Sequence, residues 1–426
     1  MERESVAFVM VGHIDHGKST LIGRLLLDTN SLADGKLEEI EAAARAEGRE
    51  VEFGFITDHL REERERAMTI DTAQAFFSSA SRDYVIIDAP GHKEFIKNMI
   101  TGASQAAAAV LICSVAEGVQ EQTKRHAYVL RLLGIEQLVV AYNKMDLAGY
   151  EQRQFEQVRR DMGEFLQRLG LRAGVEVPIS ARGGDNVVRR SEKMPWYAGP
   201  TVLEALDTFR KVPPPTAKPL RFPVQDIYES DAPGAGPIAV GRIESGILRK
   251  GDRLRFLPGA AGSAGAADGE IRTVREIKQF NRKDIAQAEA GECIGLVLDR
   301  AGLRRGQVGC PEADGARLSG SFRASVFWLS ERPLDLSSAS ALTFKCATQE
   351  QPCRIAAIHD RIDSSSLERL PTGEGRLEHT EVGEAVIETA EAVVVESFYD
   401  VQELGRFVLV SGRDVVAGGI VTHPQG

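Results

Sequence analysis

Gly12-His13-Ile14-Asp15-His16-Gly17-Lys18-Ser19-Thr20 decides the fold, because it sets a glycine-bracketed loop between a strand-like apolar run and a helix. The pattern GxxxxGK[ST] in that setting is a phosphate cradle. Its glycines let backbone amides curl around phosphate oxygens, and the helix N-terminus behind them adds favourable partial charge. Lys18 neutralises the outer phosphates, and Ser19 offers a hydroxyl to Mg²⁺. His13, Ile14, Asp15, His16, Gly17 and Thr20 join them as candidate nucleotide-binding residues.

Working outward, short β-rich runs alternate with helical periodicity. Val6–Val11, Tyr84–Ile87, Ala109–Val115 and Leu138–Tyr142 read as buried parallel strands, while Ile96–Thr101, Gln122–Leu133 and Gln152–Leu169 read as helices. This alternation predicts an α/β phosphate-loop domain with a doubly wound, mostly parallel sheet and ligands at the carboxyl ends of its strands. Val212-Pro213-Pro214-Pro215-Thr216 stops any helix and is the best linker. Beyond it come short runs separated by Gly, Pro and Asp turns: Ile238–Ile243, Arg253–Leu257, Glu270–Ile277, Cys293–Leu298, Phe322–Leu329, Ala385–Ile387 and Arg406–Val410. They predict two all-β barrel domains, divided near Pro311–Gly320. The expected boundaries are 1–211, 216–315 and 319–426. Gly259–Gly269 reads as a flexible hairpin tip, and the charged stretch Lys36–Arg66 as a solvated helical insertion.

Two further motifs stand at strand ends. Asp88-Ala89-Pro90-Gly91-His92 follows Tyr84–Ile87. There Asp88 holds Mg²⁺ through water, Gly91 offers its amide to a terminal phosphate, and the His92 ring orients an attacking water. Asn143-Lys144-Met145-Asp146 follows Leu138–Tyr142. The Asp146 carboxylate accepts from the ring N–H and exocyclic amine of guanine, whereas adenine would set an acceptor against it. Ser180-Ala181 supplies a backbone amide for the guanine carbonyl.

Composition narrows the setting. Hydrophobic residues make up 43% and charged residues 27% of 426, an ordinary globular mix. Asp plus Glu total 62 against 52 for Lys plus Arg, a formal charge of −10, which gives no support to a broadly basic nucleic-acid surface. Five cysteines without a CxxC pair fit a reducing compartment. With no apolar stretch near the ~20 residues of a membrane helix, the expectation is a cytoplasmic chain with no membrane partner.

Taken together, GHIDHGKST, ERERAMTID, DAPGHKEFIKNMITGAS, NKMD and ISARGGDN resemble, in order, the guanine-nucleotide motifs of the translation-factor superfamily of GTPases, and LGRFVLVSGRDVVAGGIV resembles its closing barrel strands. The resemblance implies GTP and GDP with Mg²⁺ as cofactors. It adds Thr69 as a second Mg²⁺ hydroxyl, makes His92 the water-orienting residue, and sets Ile14 and Met68 beside it as an apolar gate. The switch segment Arg66-Ala67-Met68-Thr69-Ile70 departs from the usual R-G-I-T-I. Two branches compete. Gln122–Ile135, Met194–Asp207 and Phe327–Leu336 look closer to the GTP-hydrolysing subunit of bacterial sulfate adenylyltransferase, which implies a catalytic ATP-sulfurylase subunit as partner. KNMITGAS and the ERER insertion are shared with elongation factor 1-alpha, which implies aminoacyl-tRNA instead. The sulfate-activation branch is the first expectation and the elongation-factor branch its alternative.

Overall fold

Ser5–Gly12 (β1) reads SVAFVMVG and is buried on both faces through most of its length, as a strand covered by helices on either side must be. The structure is a computed structural model describing residues 4–32, 35, 73–88, 106–229, 236–259, 269–314, 316–337, 341–371 and 375–424. With β1 run Ala73–Ser78 (β2), Asp83–Asp88 (β3), Ala108–Ser114 (β4), Gln137–Asn143 (β5) and Val175–Pro178 (β6). They form one six-stranded sheet in the order β2-β3-β1-β4-β5-β6. Every pairing is parallel except β2 with β3. The order reverses beside β1, so its carboxyl end opens into the crevice of a doubly wound sheet, where ligands bind.

Among the described residues, the helices that accompany this sheet are Lys18–Asp28 (α1), Glu121–Leu132 (α2), Gln152–Arg168 (α3) and Val202–Leu206 (α4). Along α3, Phe155, Val158, Met162, Phe165 and Leu166 are buried, a single apolar stripe at helical spacing. A capping box starts α4: Thr201 accepts from the Glu204 amide while the Glu204 carboxylate takes the Thr201 amide. Just past this helix, Asp207 Oδ1 accepts from Tyr84 of β3 at 2.5 Å and from Ser79 at 2.8 Å. Tyr84 stacks on Phe77 at 4.8 Å and meets Phe8 edge-on. That aromatic core fixes β3 against β1 and so sets where Asp88 emerges.

The sequence expectation of a nucleotide-type α/β domain followed by all-β barrels agrees with this architecture. Met1–Val212 with Ser364–Ser366 make one compact unit, and Pro213–Asp363 with Leu367–Gly426 another. The second unit holds two antiparallel seven-stranded sheets. In the first, Arg253–Leu257 pairs with both Val308–Pro311 and Glu270–Gln279, closing the sheet into a barrel. In the second, Leu342–Cys346 pairs with both Gln349–Asp363 and Arg406–Ser411. Closure removes exposed strand edges. Each barrel has its own core, around Phe222 and Phe256 in the first and Phe322, Phe344 and Phe407 in the second. A third cluster, with Leu257, Val308, Val394 and Leu404, lies between them. The 15-residue strand Gln349–Asp363 escaped the sequence reading because its residues are mostly half-buried and its register slips twice against Glu381–Val394. Among the described residues no helix is long and apolar enough to cross a membrane. The expected helix Ile96–Thr101, the insertion Lys36–Arg66 and nearly all of the Gly259–Gly269 loop lie outside the described residues.

Candidate nucleotide site

Gly12 ends β1 at φ 154°, and a Cβ there would stand 2.5 Å from the Ile112 carbonyl oxygen of β4. Gly17 closes the loop at φ 92°, and a Cβ on it would stand 2.4 Å from Asn143 Nδ2. Both conditions demand glycine, and they give the loop its tight curl. Gly17 is also the N-cap of α1, with no side chain capping the helix, so its first amides face the loop's interior. Ser19 and Thr20 lie in the first turn of α1. Lys18 Nζ donates back to the carbonyls of Gly12 at 2.7 Å and His13 at 2.9 Å, which holds its charge over the cradle. Asp15 is held in the left-handed region at φ 64°. The Ile14 amide donates to Gln122 Oε1 of α2 at 3.2 Å, leaving the Ile14 side chain 51% exposed.

Asp88 is the last residue of β3, only 4% exposed and level with Met10 of β1. It ends the strand next to β1 at the carboxyl edge of the sheet, and a buried carboxylate there suits Mg²⁺, which takes one or two carboxylates together with phosphate oxygens. The glycine-lined cradle, with the Ser19 hydroxyl behind it and the Asp88 carboxylate at the neighbouring strand end, offers the donor types that a nucleotide phosphate chain and its Mg²⁺ take. Thr69, Met68, Gly91 and His92 lie outside the described residues.

The base-reading candidates converge from two strand ends. Asn143 Nδ2 donates to the His16 carbonyl at 2.8 Å, while its Oδ1 accepts from the Ala181 amide at 2.9 Å. The residue expected to read the base therefore also ties three loops together. Ser180 Oγ donates to Asp146 Oδ1 at 2.8 Å, fixing the carboxylate. Lys144 sits at φ 64° and reaches Glu117 Oε1 at 2.5 Å. Behind Ser180, Asp185 accepts from Ser191, Tyr150 and Lys193, and these bonds hold its carboxyl below the usual range against the cost of burial. His16 is fully buried, and burial pushes its imidazole down to about 4.

Glu117 and Asp185 were not singled out in the sequence. Glu117 follows β4 at the carboxyl edge of the sheet, where strand-end residues face the ligand crevice, so its position alone was a usable signal.

Residues 3–212 match the family model described as the elongation factor Tu GTP binding domain, and residues 321–422 match GTP-eEF1A C-terminal domain-like. Elongation factor 1-alpha of Methanopyrus kandleri is 38% identical over 428 residues, covering 98% of this chain and 97% of that protein. Elongation factor 1-alpha of Thermococcus kodakarensis is 36% identical over 430 residues, covering 100% and 99%. A solved structure of sup35 complexed with GMPPNP aligns over 99% of this chain and 94% of its own at 26% identity, with a TM-score of 0.44, too loose a superposition to bear on function. These relatives favour the elongation-factor branch over the sulfate-activating one.

Proposed function

The chain belongs to the translation-factor GTPase family, and from that premise we propose that it is an elongation-factor-1-alpha-like GTPase that carries aminoacyl-tRNA to the ribosome in its GTP state. It is a GTPase of the type that takes GTP and GDP with Mg²⁺. The observation that carries the finer reading is 38% identity to an elongation factor 1-alpha across 98% of the chain, both barrels included. A net charge of −10 argues only against a basic surface overall. The reading keeps domains at 1–211, 216–315 and 319–426 and a cytoplasmic setting.

In this proposal Ser19 and Asp88, with Thr69, hold the Mg²⁺, which shields the charge on the β- and γ-phosphates when bound. The amides of His13 through Thr20 cradle the phosphates and Lys18 neutralises them. Asp146, fixed by Ser180, accepts from the guanine edge. The Ala181 N–H, expected to meet the base carbonyl, is taken by Asn143 Oδ1 and reaches the base only by exchanging that bond. His92 orients the attacking water, and Gly91 reports the terminal phosphate to its loop. With the water held by one residue and no partner, hydrolysis is slow, since added transition-state contacts contribute on the order of 10³–10⁵-fold in such enzymes.

A second reading, coupling hydrolysis to sulfate activation by a catalytic ATP-sulfurylase subunit, rests on the Phe327–Leu336 segment. There the Trp328 indole donates to the Arg332 carbonyl at 2.9 Å, and Leu334–Asp335 pairs with Arg376–Leu377. Filter retention of charged tRNA separates the two. Retention that requires GTP and is lost with GDP is expected. No retention, together with GTP turnover stimulated by the sulfurylase subunit, ATP and sulfate, would replace the first reading with the second.

A further inference from the structure

Glu117 stands three residues past β4 and belongs to none of the nucleotide motifs. Its two carboxylate oxygens face opposite halves of the pocket. Oε1 is 2.5 Å from Lys144 Nζ on the base-reading turn, and Oε2 is 3.7 Å from His16 Nε2 in the phosphate loop.

The tautomer of His16 follows from its neighbours. The Ser114 amide donates to His16 Nδ1 at 3.3 Å. A ring nitrogen that accepts carries no hydrogen, so the Ile112 carbonyl, 3.4 Å from the same atom, is not its acceptor. The ring is neutral, and its one proton is therefore on Nε2, facing Glu117. That nitrogen is buried and has no hydrogen-bond partner among the described residues. The gap to Glu117 exceeds an ordinary hydrogen bond by about 0.5 Å. A small advance of the loop closes it.

We propose that Glu117 is a positioning residue of the nucleotide pocket: it holds Lys144 in place and takes up the His16 Nε2–H when bound phosphate settles the loop, so that filling one half of the pocket tightens the other. The inference rests on the guanine-nucleotide reading above. Lys144 already holds the Glu117 carboxyl below the usual range, so the bridge is charged at neutral pH. The Glu117 side chain is 39% exposed, and its replacement leaves the core intact.

The test is the dissociation rate of a fluorescent GDP analogue from wild type, Glu117→Gln, Lys144→Met and the double variant, with the melting temperature of each nucleotide-free protein. Glu117→Gln is expected to release GDP on the order of 10-fold faster through loss of a charge-assisted bond. The double variant should be no faster than the faster single, because both act through one bridge. Glu117→Asp, with the charge kept on a shorter arm, should fall between. Rates within about twofold of wild type overturn the inference, as do single effects that multiply in the double. So does a fall in nucleotide-free melting temperature that accounts for the whole effect. In each case the nucleotide reading survives. A wild-type chain that binds no guanine nucleotide overturns both.

Discussion

Asn143 Nδ2 lies 2.8 Å from the carbonyl oxygen of His16, so the end of β5 grips the phosphate loop from behind. The same amide group takes the Ala181 N–H on its Oδ1 at 2.9 Å and leaves no room for a side chain at Gly17. Asn143→Ala strands a buried acceptor and a buried donor, each costing about 1–3 kcal/mol. Affinity for GDP is expected to fall roughly 10- to 100-fold, read by calorimetry. An Asn143→Ala protein that binds GDP as wild type does would show that the three loops hold their places without this strut.

How much of this was visible beforehand follows from how local each feature is. The phosphate loop was legible because a short run of neighbouring residues both forms it and performs its task. Asn143 was legible as a base reader but not as a strut, since its bonds reach His16 and Ala181, 127 and 38 residues away in sequence. Glu117 carries no motif at all; only the parallel sheet brings it between His16 and Lys144. The strand Gln349–Asp363 hid because it lacks clean alternation, its pairing being set by neighbours in the closed barrel. The branch within the family is not legible in three short segments: they point to sulfate activation, whereas 38% identity over 98% of the chain favours elongation factor 1-alpha.

Arg221, 3% exposed, is the fixed point between the two barrels. It donates from Nε and Nη2 to Glu396 Oε1 at 2.9 and 2.7 Å, and from Nη1 to Asp314 at 2.9 Å. Glu396 is itself only 6% exposed. Removing one member of a buried pair leaves the other charge stranded, at about 3–5 kcal/mol, whereas apolar replacement of both is often neutral. Glu396→Gln leaves Arg221 with Asp314 alone, so it should lower the urea midpoint of the second unit by less than a fully stranded charge would, and Arg221→Met with Glu396→Leu should restore most of it. A double variant as unstable as the single would mean that this cluster contributes more than its two charges cost.

Glu244 gives the second unit a pH dependence of unusual sign. Burial, and after it the Glu403 charge, push its carboxyl from 4.5 up to about 7 against the opposing charges of Arg242 and Arg406. Its amide donates to the Arg221 carbonyl at 2.9 Å, which fixes the backbone beneath the buried ion cluster. Between about pH 4.5 and 7 the folded chain keeps a proton that the unfolded chain has released. In that window stability falls as pH rises, and above it the loss is complete. The shift sets a ceiling of roughly 3 kcal/mol on the effect. Other carboxylates titrate in the opposite sense, so the informative quantity is the difference between wild type and Glu244→Gln in urea unfolding from pH 5 to 8. Glu244→Gln should match wild type near pH 5 and exceed it at pH 8. Parallel curves across the range would show that the Glu244 carboxyl is already ionised at pH 5 in the folded protein.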